Sequence, residues 1–197
     1  MKFLWCDVET TGLNIENAAP FQIAFIFVST QNIGGKNVKS ESERVFLLNC
    51  LDMAHVEFNE EAAKIHGISK ETIQNYENSH DVCTKIMNFL SDCVNFREVE
   101  NMYFCGYNCE FDWNHLISLF NHHGMDFGQF FEKRLDVFNQ VKKAGANKIL
   151  PYLPNRKLTT ICEHLKIDLS NAHDALADIK ATRDVAKSLA TLGVPLE

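Results

Sequence analysis

No stretch of this 197-residue sequence is apolar for long enough to cross a bilayer, and its opening residues, MKFLWCDVE, lack the hydrophobic segment of a secretory signal. The first absence argues against a membrane protein and the second against an exported one, so a cytoplasmic location is expected. The seven cysteines are odd in number and follow no framework spacing, and they read as reduced thiols. Cys105 and Cys109 in CGYNC have no second pair with which to complete a zinc site. No repeat, low-complexity tract or linker divides the chain. Residues 1–197 are therefore expected to form a single domain, long enough to bury a sizeable core. Positive charge is scarce too: 19 Lys and Arg stand against 26 Asp and Glu, for a net charge of −7. That argues against affinity for nucleic acid through bulk charge. It does not exclude a nucleic-acid enzyme whose carboxylates hold divalent cations, because a metal ion inverts the local sign of a site.

What is present is ordinary in amount, with 46% hydrophobic and 23% charged residues, and informative in order. Residues 2–8 read as a buried strand, PFQIAFIFVS (20–29) as a second, NIGGKN (32–37) as a turn and ERVFLLN (43–49) as the returning strand. Asn59 and Ser69 are N-caps for two short helices, the first closed by Gly67. Behind Asp81, the residues Val82, Cys83, Ile86, Met87, Leu90, Cys93 and Val94 share one helical face. NMYFCGYN (101–108) reads as a fourth strand, followed by a helix that Gly124 stops. Helices are also expected at 136–145, over LTTICEHL, and in a last segment ending at Gly193, with a two-proline loop, ANKILPYLPN, between. Three early strands and helices around a fourth predict an α/β fold: a central mixed β-sheet with helices on both faces.

Two carboxylates, Asp7 and Glu9, interrupt the first strand two residues apart and so emerge on one face. Asp112 sits just inside the helix after the fourth strand, and His173 and Asp178 sit at the start of the last helix. Open α/β sheets place sites outside strand ends and at helix starts. If the first and fourth strands are neighbours, three carboxylates converge at one edge and Asp178 completes the set. Such a cluster cannot stay ionised without cations. Oxygen donors of this kind suit Mg²⁺ or Mn²⁺, and two such ions clamp a phosphodiester. A nearby histidine can take a proton from the attacking water.

These residues, in this order, resemble the DEDDh (DnaQ-like) family of 3′→5′ exonucleases, which includes the proofreading subunit of bacterial DNA polymerase III, RNase T and oligoribonuclease. The D-x-E-T-T-G motif stands as Asp7 to Gly12, N-x-x-F-D as Asn108 to Asp112, and H-x-A-x-x-D as His173 to Asp178. An accessory HGI stands at His66, Gly67 and Ile68. The resemblance runs from Phe3 to about Leu189 and implies an RNase H-like fold, two divalent ions and release of nucleoside 5′-monophosphates from a 3′ end. It implies that Asp7, Glu9, Asp112 and Asp178 are metal ligands and His173 the general base. It also implies that the turn Thr10, Thr11, Gly12, Leu13 contacts the terminal nucleotide, with His66, Asn108 and Phe111 at the pocket rim. The expected partner is nucleic acid with a free 3′ end, DNA ahead of RNA, with a polymerase or another processing protein as a further partner. An exoribonuclease, a metal-dependent phosphatase and a binding module without chemistry are the competing readings.

Several residues admit plainer roles. Asp174 and Asp178 share a helix face, so either is a ligand candidate, with Asp174 read as a cap. His122 and His123 suit a helix C-terminus. His66 reads equally as the last turn of its helix. The run Lys142–Lys157 carries five cations and no acid in an acidic chain, and is either a solvated loop or a track for a nucleic-acid backbone.

Overall fold

Alternation along the first strand sets the layout. Strand β1 (Lys2–Thr10) sends Leu4, Cys6 and Val8 into one core and Trp5 into another on the opposite side. A strand buried on both faces belongs in the middle of a sheet. The protein, here a computed structural model, is described for residues 1–33, 35–94, 102–169 and 171–196. Its other strands are β2 (Pro20–Ile33), β3 (Lys36–Asn49), β4 (Glu77–Asn78), β5 (Met102–Gly106) and β6 (Phe131–Asp136). They form one mixed six-stranded sheet in the order β4-β3-β2-β1-β5-β6. β1, β2 and β3 pair antiparallel, whereas β5 runs parallel to β1 and β6 parallel to β5. The first and fourth expected strands are thus neighbours, with Phe3 opposite Tyr103 and Trp5 opposite Cys105.

The helices are α1 (Glu60–His66), α2 (Lys70–Gln74), α3 (Ser79–Cys93), α4 (Glu110–His122), α5 (Val137–Ala146), α6 (Leu158–Leu165) and α7 (Ala175–Thr191). On one face, Val82, Cys83, Ile86 and Leu90 of α3 and Leu116, Leu119 and Phe120 of α4 pack against Leu4, Ile23 and Phe25. On the other, Val141 of α5, Ile161 of α6 and Ile179, Val185 and Leu189 of α7 cover Trp5, Ala24, Ile26 and Leu135. Cys105 joins this second core and Cys109 the first, and all seven cysteines are free, with only Cys93 not fully buried.

Local signals act as their chemistry predicts. The Asn59 side chain accepts from the Glu61 and Ala62 amides, and Gly67 ends α1 at φ +74°. Ser69 accepts from the Thr72 amide. The differences from expectation are also chemical. Helix α3 starts ahead of Asp81 because the Asn78 side chain caps it, accepting from the His80 and Asp81 amides. The expected turn at 32–37 is narrower, since Asn32 pairs with Asn37 and Ile33 with Lys36. β4 and β6 were not expected at all. Asn101, Asn95 and Phe96, included in the expected fourth strand and third helix, lie outside the described residues. No helix among the described residues is long and apolar enough to cross a membrane.

Candidate active site

Because β1 and β5 are parallel neighbours, the chain leaves both at the same edge of the sheet. Gly106 closes β5 there. A Cβ on it would stand 3.0 Å from the Cys6 carbonyl oxygen and 3.0 Å from the Cys109 Cβ. Only glycine lets the two strand ends come this close without displacing backbone.

Asp7 and Glu9 lie on the same face of β1 as Trp5, the face that α7 covers. From the first turn of α7, Asp178 reaches the same place. The ligand atoms of Glu9, His173 and Asp178 lie within 4.8 Å of one another. Asp112 arrives from α4, on the opposite face, and its Oδ1 accepts the Val8 amide at 3.1 Å. That bond inserts the carboxylate between the backbones of Asp7 and Glu9, 104 residues away in sequence. The three motifs therefore meet at one edge of the sheet.

The electrostatics are those of an anion cluster short of cations. Burial, then the charges of Asp178, Asp112 and Asp174, push Glu9 up to about 8. Burial also pushes Asp112 up to about 8, opposed by hydrogen bonds from the amide of Val8 and its own. Asp7 is raised well above the carboxylate range by burial and by Asp112, Asp178 and Glu9. Asp178 is raised by burial, although the His173 amide, 3.3 Å from Oδ2, favours its ionised form. Its Oδ1 is buried with no hydrogen-bond partner among the described residues. An unpartnered buried carboxylate oxygen, facing other carboxylates, fits a site for hard divalent cations.

His173 is exposed and precedes α7 in a left-handed conformation, φ +69°. Non-glycine residues there are strained, and such strain concentrates at functional sites. Asp174 is the N-cap of α7: Oδ1 accepts the Ala177 amide at 3.0 Å and Oδ2 the Gln22 side-chain amide at 3.2 Å. With both oxygens engaged, it holds the helix start over β2, whereas Asp178 keeps its Oδ1 without a partner among the described residues.

The residues expected at the rim divide into two groups. The Thr10 hydroxyl donates to the Gly12 carbonyl at 2.7 Å, and the Thr11 hydroxyl accepts the Ala19 amide at 3.3 Å. Both threonines are buried, so their side chains build the turn. Gly12 packs against Ala18, whose Cβ would be 3.3 Å from an added Cβ. The residue that the turn presents outward is Leu13, 83% exposed. His66 packs on Phe21 with ring centroids 4.7 Å apart and accepts the Ile68 amide at Nδ1. Its Nε2 is buried with no partner among the described residues, and burial together with nearby His173 holds its pKa low. Phe111 is half-buried against the α4 core and 4.2 Å from the His115 ring, so packing occupies part of it. Asn108 is exposed at φ +58°, a conformation asparagine tolerates.

Two positioning residues were not expected. Asp136 Oδ1 accepts both the Asn108 amide at 2.8 Å and the Phe138 amide at 2.9 Å, so one carboxylate caps α5 and braces the second motif. In sequence it reads only as the first residue of the expected helix at 136–145. Gln22 holds Asp174, and its signal was available as a lone amide in the apolar run PFQIAFIFVS.

The family model of the RNase T exonucleases matches residues 4–186. No curated protein matches the chain. Among solved structures, one of exonuclease I superposes with a TM-score of 0.78 at 24% identity, over 96% of this chain and 41% of that one. The zinc-bound complex of E. coli exonuclease I with single-stranded DNA gives 0.78 at 23%, over 96% and 40%. E. coli exonuclease I with a dA16 oligonucleotide gives 0.76 at 22%, over 96% and 41%. The chain thus spans about two fifths of those proteins, and the likeness shows a shared RNase H-like fold.

Proposed function

Since the chain belongs to the RNase T family of exonucleases, we propose that it hydrolyses phosphodiester bonds one at a time from the 3′ end of nucleic acid, releasing nucleoside 5′-monophosphates. The observation that carries this reading is the meeting of three motifs at one sheet edge. Asp112 is bonded to the backbone between Asp7 and Glu9, and Glu9, His173 and Asp178 lie within 4.8 Å of one another.

In this reading Asp7, Glu9, Asp112 and Asp178 hold two divalent cations, Mg²⁺ or Mn²⁺, which supply Lewis acidity and charge neutralisation at the scissile phosphate. The chain's own residues do the rest. His173 takes the proton of the attacking water through its imidazole. The bond from its backbone amide to Asp178 fixes the base relative to the carboxylate cluster. Leu13 and the Thr10–Gly12 turn meet the terminal nucleotide, and Asn108, Phe111 and the Nε2 of His66 line the pocket beside it. Asp136, Gln22 and Gly106 position those groups without touching substrate. Single-stranded DNA is the favoured substrate, supported by the complexes in which the structurally similar exonuclease I was solved.

Incubation of 5′-labelled single- and double-stranded DNA and RNA with Mg²⁺, Mn²⁺ or EDTA tests this. A ladder of products shortened from the 3′ end, absent in EDTA, is expected. Cleavage of closed circular single strands at an equal rate would show an endonuclease and overturn the assignment.

A further inference from the structure

Between Asp136 and Glu163 the chain has no acidic residue, yet it carries Lys142, Lys143, Lys148, Arg156 and Lys157. In a chain of net charge −7 that is a local reversal of sign. The segment from 147 to 157 lies outside helices and strands, and among the described residues Lys148, Arg156 and Lys157 make no ion pair. Lys148, Leu150, Pro151, Tyr152, Pro154 and Arg156 line a groove of about 520 Å³. Tyr152 is 96% exposed, flanked by two prolines one and two residues away that restrict its backbone. A fully solvated aromatic ring among unpaired cations contributes nothing to the core.

The groove also adjoins the proposed site. The Tyr107 hydroxyl donates to the Arg156 carbonyl, anchoring the loop to the residue before Asn108. On the inner side, Cys162 of α6 lies near enough to Asp178 for that charge to raise its thiol pKa further after burial. The end of the loop at Arg156 therefore lies beside the second motif.

We propose that this loop is a binding surface for the single-stranded segment upstream of the 3′ terminus, a proposal that rests on the exonuclease reading. Tyr152 stacks on a base, and Lys148, Arg156 and Lys157 meet backbone phosphates. Aromatic rings interleaved with cations are how proteins hold single strands without reading sequence. The carboxylate cluster repels the phosphates of a long strand, so a separate cationic surface holds the strand while the terminus enters the site.

Fluorescence anisotropy of 5′-fluorescein dT20 in EDTA tests the surface without turnover. Tyr152→Ala is expected to weaken binding about 5- to 150-fold, the range for losing one stacked base, whereas Tyr152→Phe binds as wild type. The double variant Lys148→Ala/Arg156→Ala is expected to reduce the slope of log K against log salt by about 1.4, or about 0.7 for each lost single-strand phosphate contact. All these side chains are exposed, so thermal melting is expected to be unchanged. Equal affinity and salt slope in wild type and variants overturn the proposal, as does wild-type protein that does not bind dT20. Failure of the exonuclease reading is distinguishable: wild type then binds dT20 and leaves it intact with Mg²⁺ or Mn²⁺.

Discussion

Replacing Glu9 with glutamine in metal-free protein isolates the energetic cost of the carboxylate cluster. The carboxyl of Glu9 titrates near 8 in the folded protein against an ordinary value of 4.5. The folded state thus binds more protons than the unfolded state between those values, and stability contributed below pH 4.5 is lost as pH rises toward 8. At 1.36 kcal/mol per pH unit, the penalty is about 1 kcal/mol at pH 5 and about 3 kcal/mol at pH 7. Glutamine keeps the shape and cannot ionise, so Glu9→Gln removes most of it. For a chain of this length 1 kcal/mol moves the melting temperature by about 2–4 °C. In EDTA at pH 7 the variant should therefore melt about 6–12 °C above wild type, and at pH 5 only about 2–4 °C above it. Scanning calorimetry of both proteins at both pH values reads the effect. With saturating Mg²⁺ the order should reverse, because wild type gains ligand-binding free energy that the variant loses. A variant that melts no higher than wild type at pH 7 in EDTA, or gains as much at pH 5, refutes the reasoning.

Other perturbations separate the roles assigned to the site. Asp7→Asn should abolish nucleotide release in Mg²⁺ or Mn²⁺ and, like Glu9→Gln, melt above wild type in EDTA at pH 7; turnover near wild type would remove Asp7 from the metal set. His173→Ala should slow release by about 10²–10⁴-fold, the range for a positioned base. It should flatten the acid limb of the pH–rate profile and leave calorimetric metal affinity close to wild type, whereas Asp178→Ala should weaken metal binding itself. Gly106→Ala places a methyl 3.0 Å from the Cys6 carbonyl. It should cost about 1–3 kcal/mol in denaturant unfolding and lower kcat more than it raises KM, because the two strand ends are forced apart.

The candidate site was legible as a cluster because its motifs stand out as ionisable side chains at fixed spacings, which the fold brings to one sheet edge. Asp7 and Glu9 contradict the strand around them, and the other motif residues stand at helix starts. The central strands were legible from their apolar runs. β6 was not: in FEKRLD only Leu135 is fully buried, and Glu132, Lys133 and Arg134 are solvated on an edge strand. Parallel pairing to β5 makes it a strand, and pairing between distant segments leaves no local mark. The polar start of β3 was not read as strand for the same reason, since Lys36–Glu41 is exposed and owes its structure to the hairpin. The start of α3 was misplaced because Asn78, Ser79 and Asp81 are all plausible caps, and only the tertiary position of Asp52, which binds Asn78 and Ser79, selects among them. Asp136 shows a different limit: its place at the helix start is local and visible, while its hold on Asn108 spans 28 residues.

The bond between the Val8 amide and Asp112, and the seat of Asp178 beside Glu9, also have a consequence for synthesis on the ribosome. The first two carboxylates emerge with β1, the third only with α4, and the fourth with α7. Until α7 leaves the exit tunnel, no nascent chain has all four carboxylates of the cluster, and the β1–β2 surface it covers lies open. The carboxylate cluster is thus completed last, together with the closing of the second core.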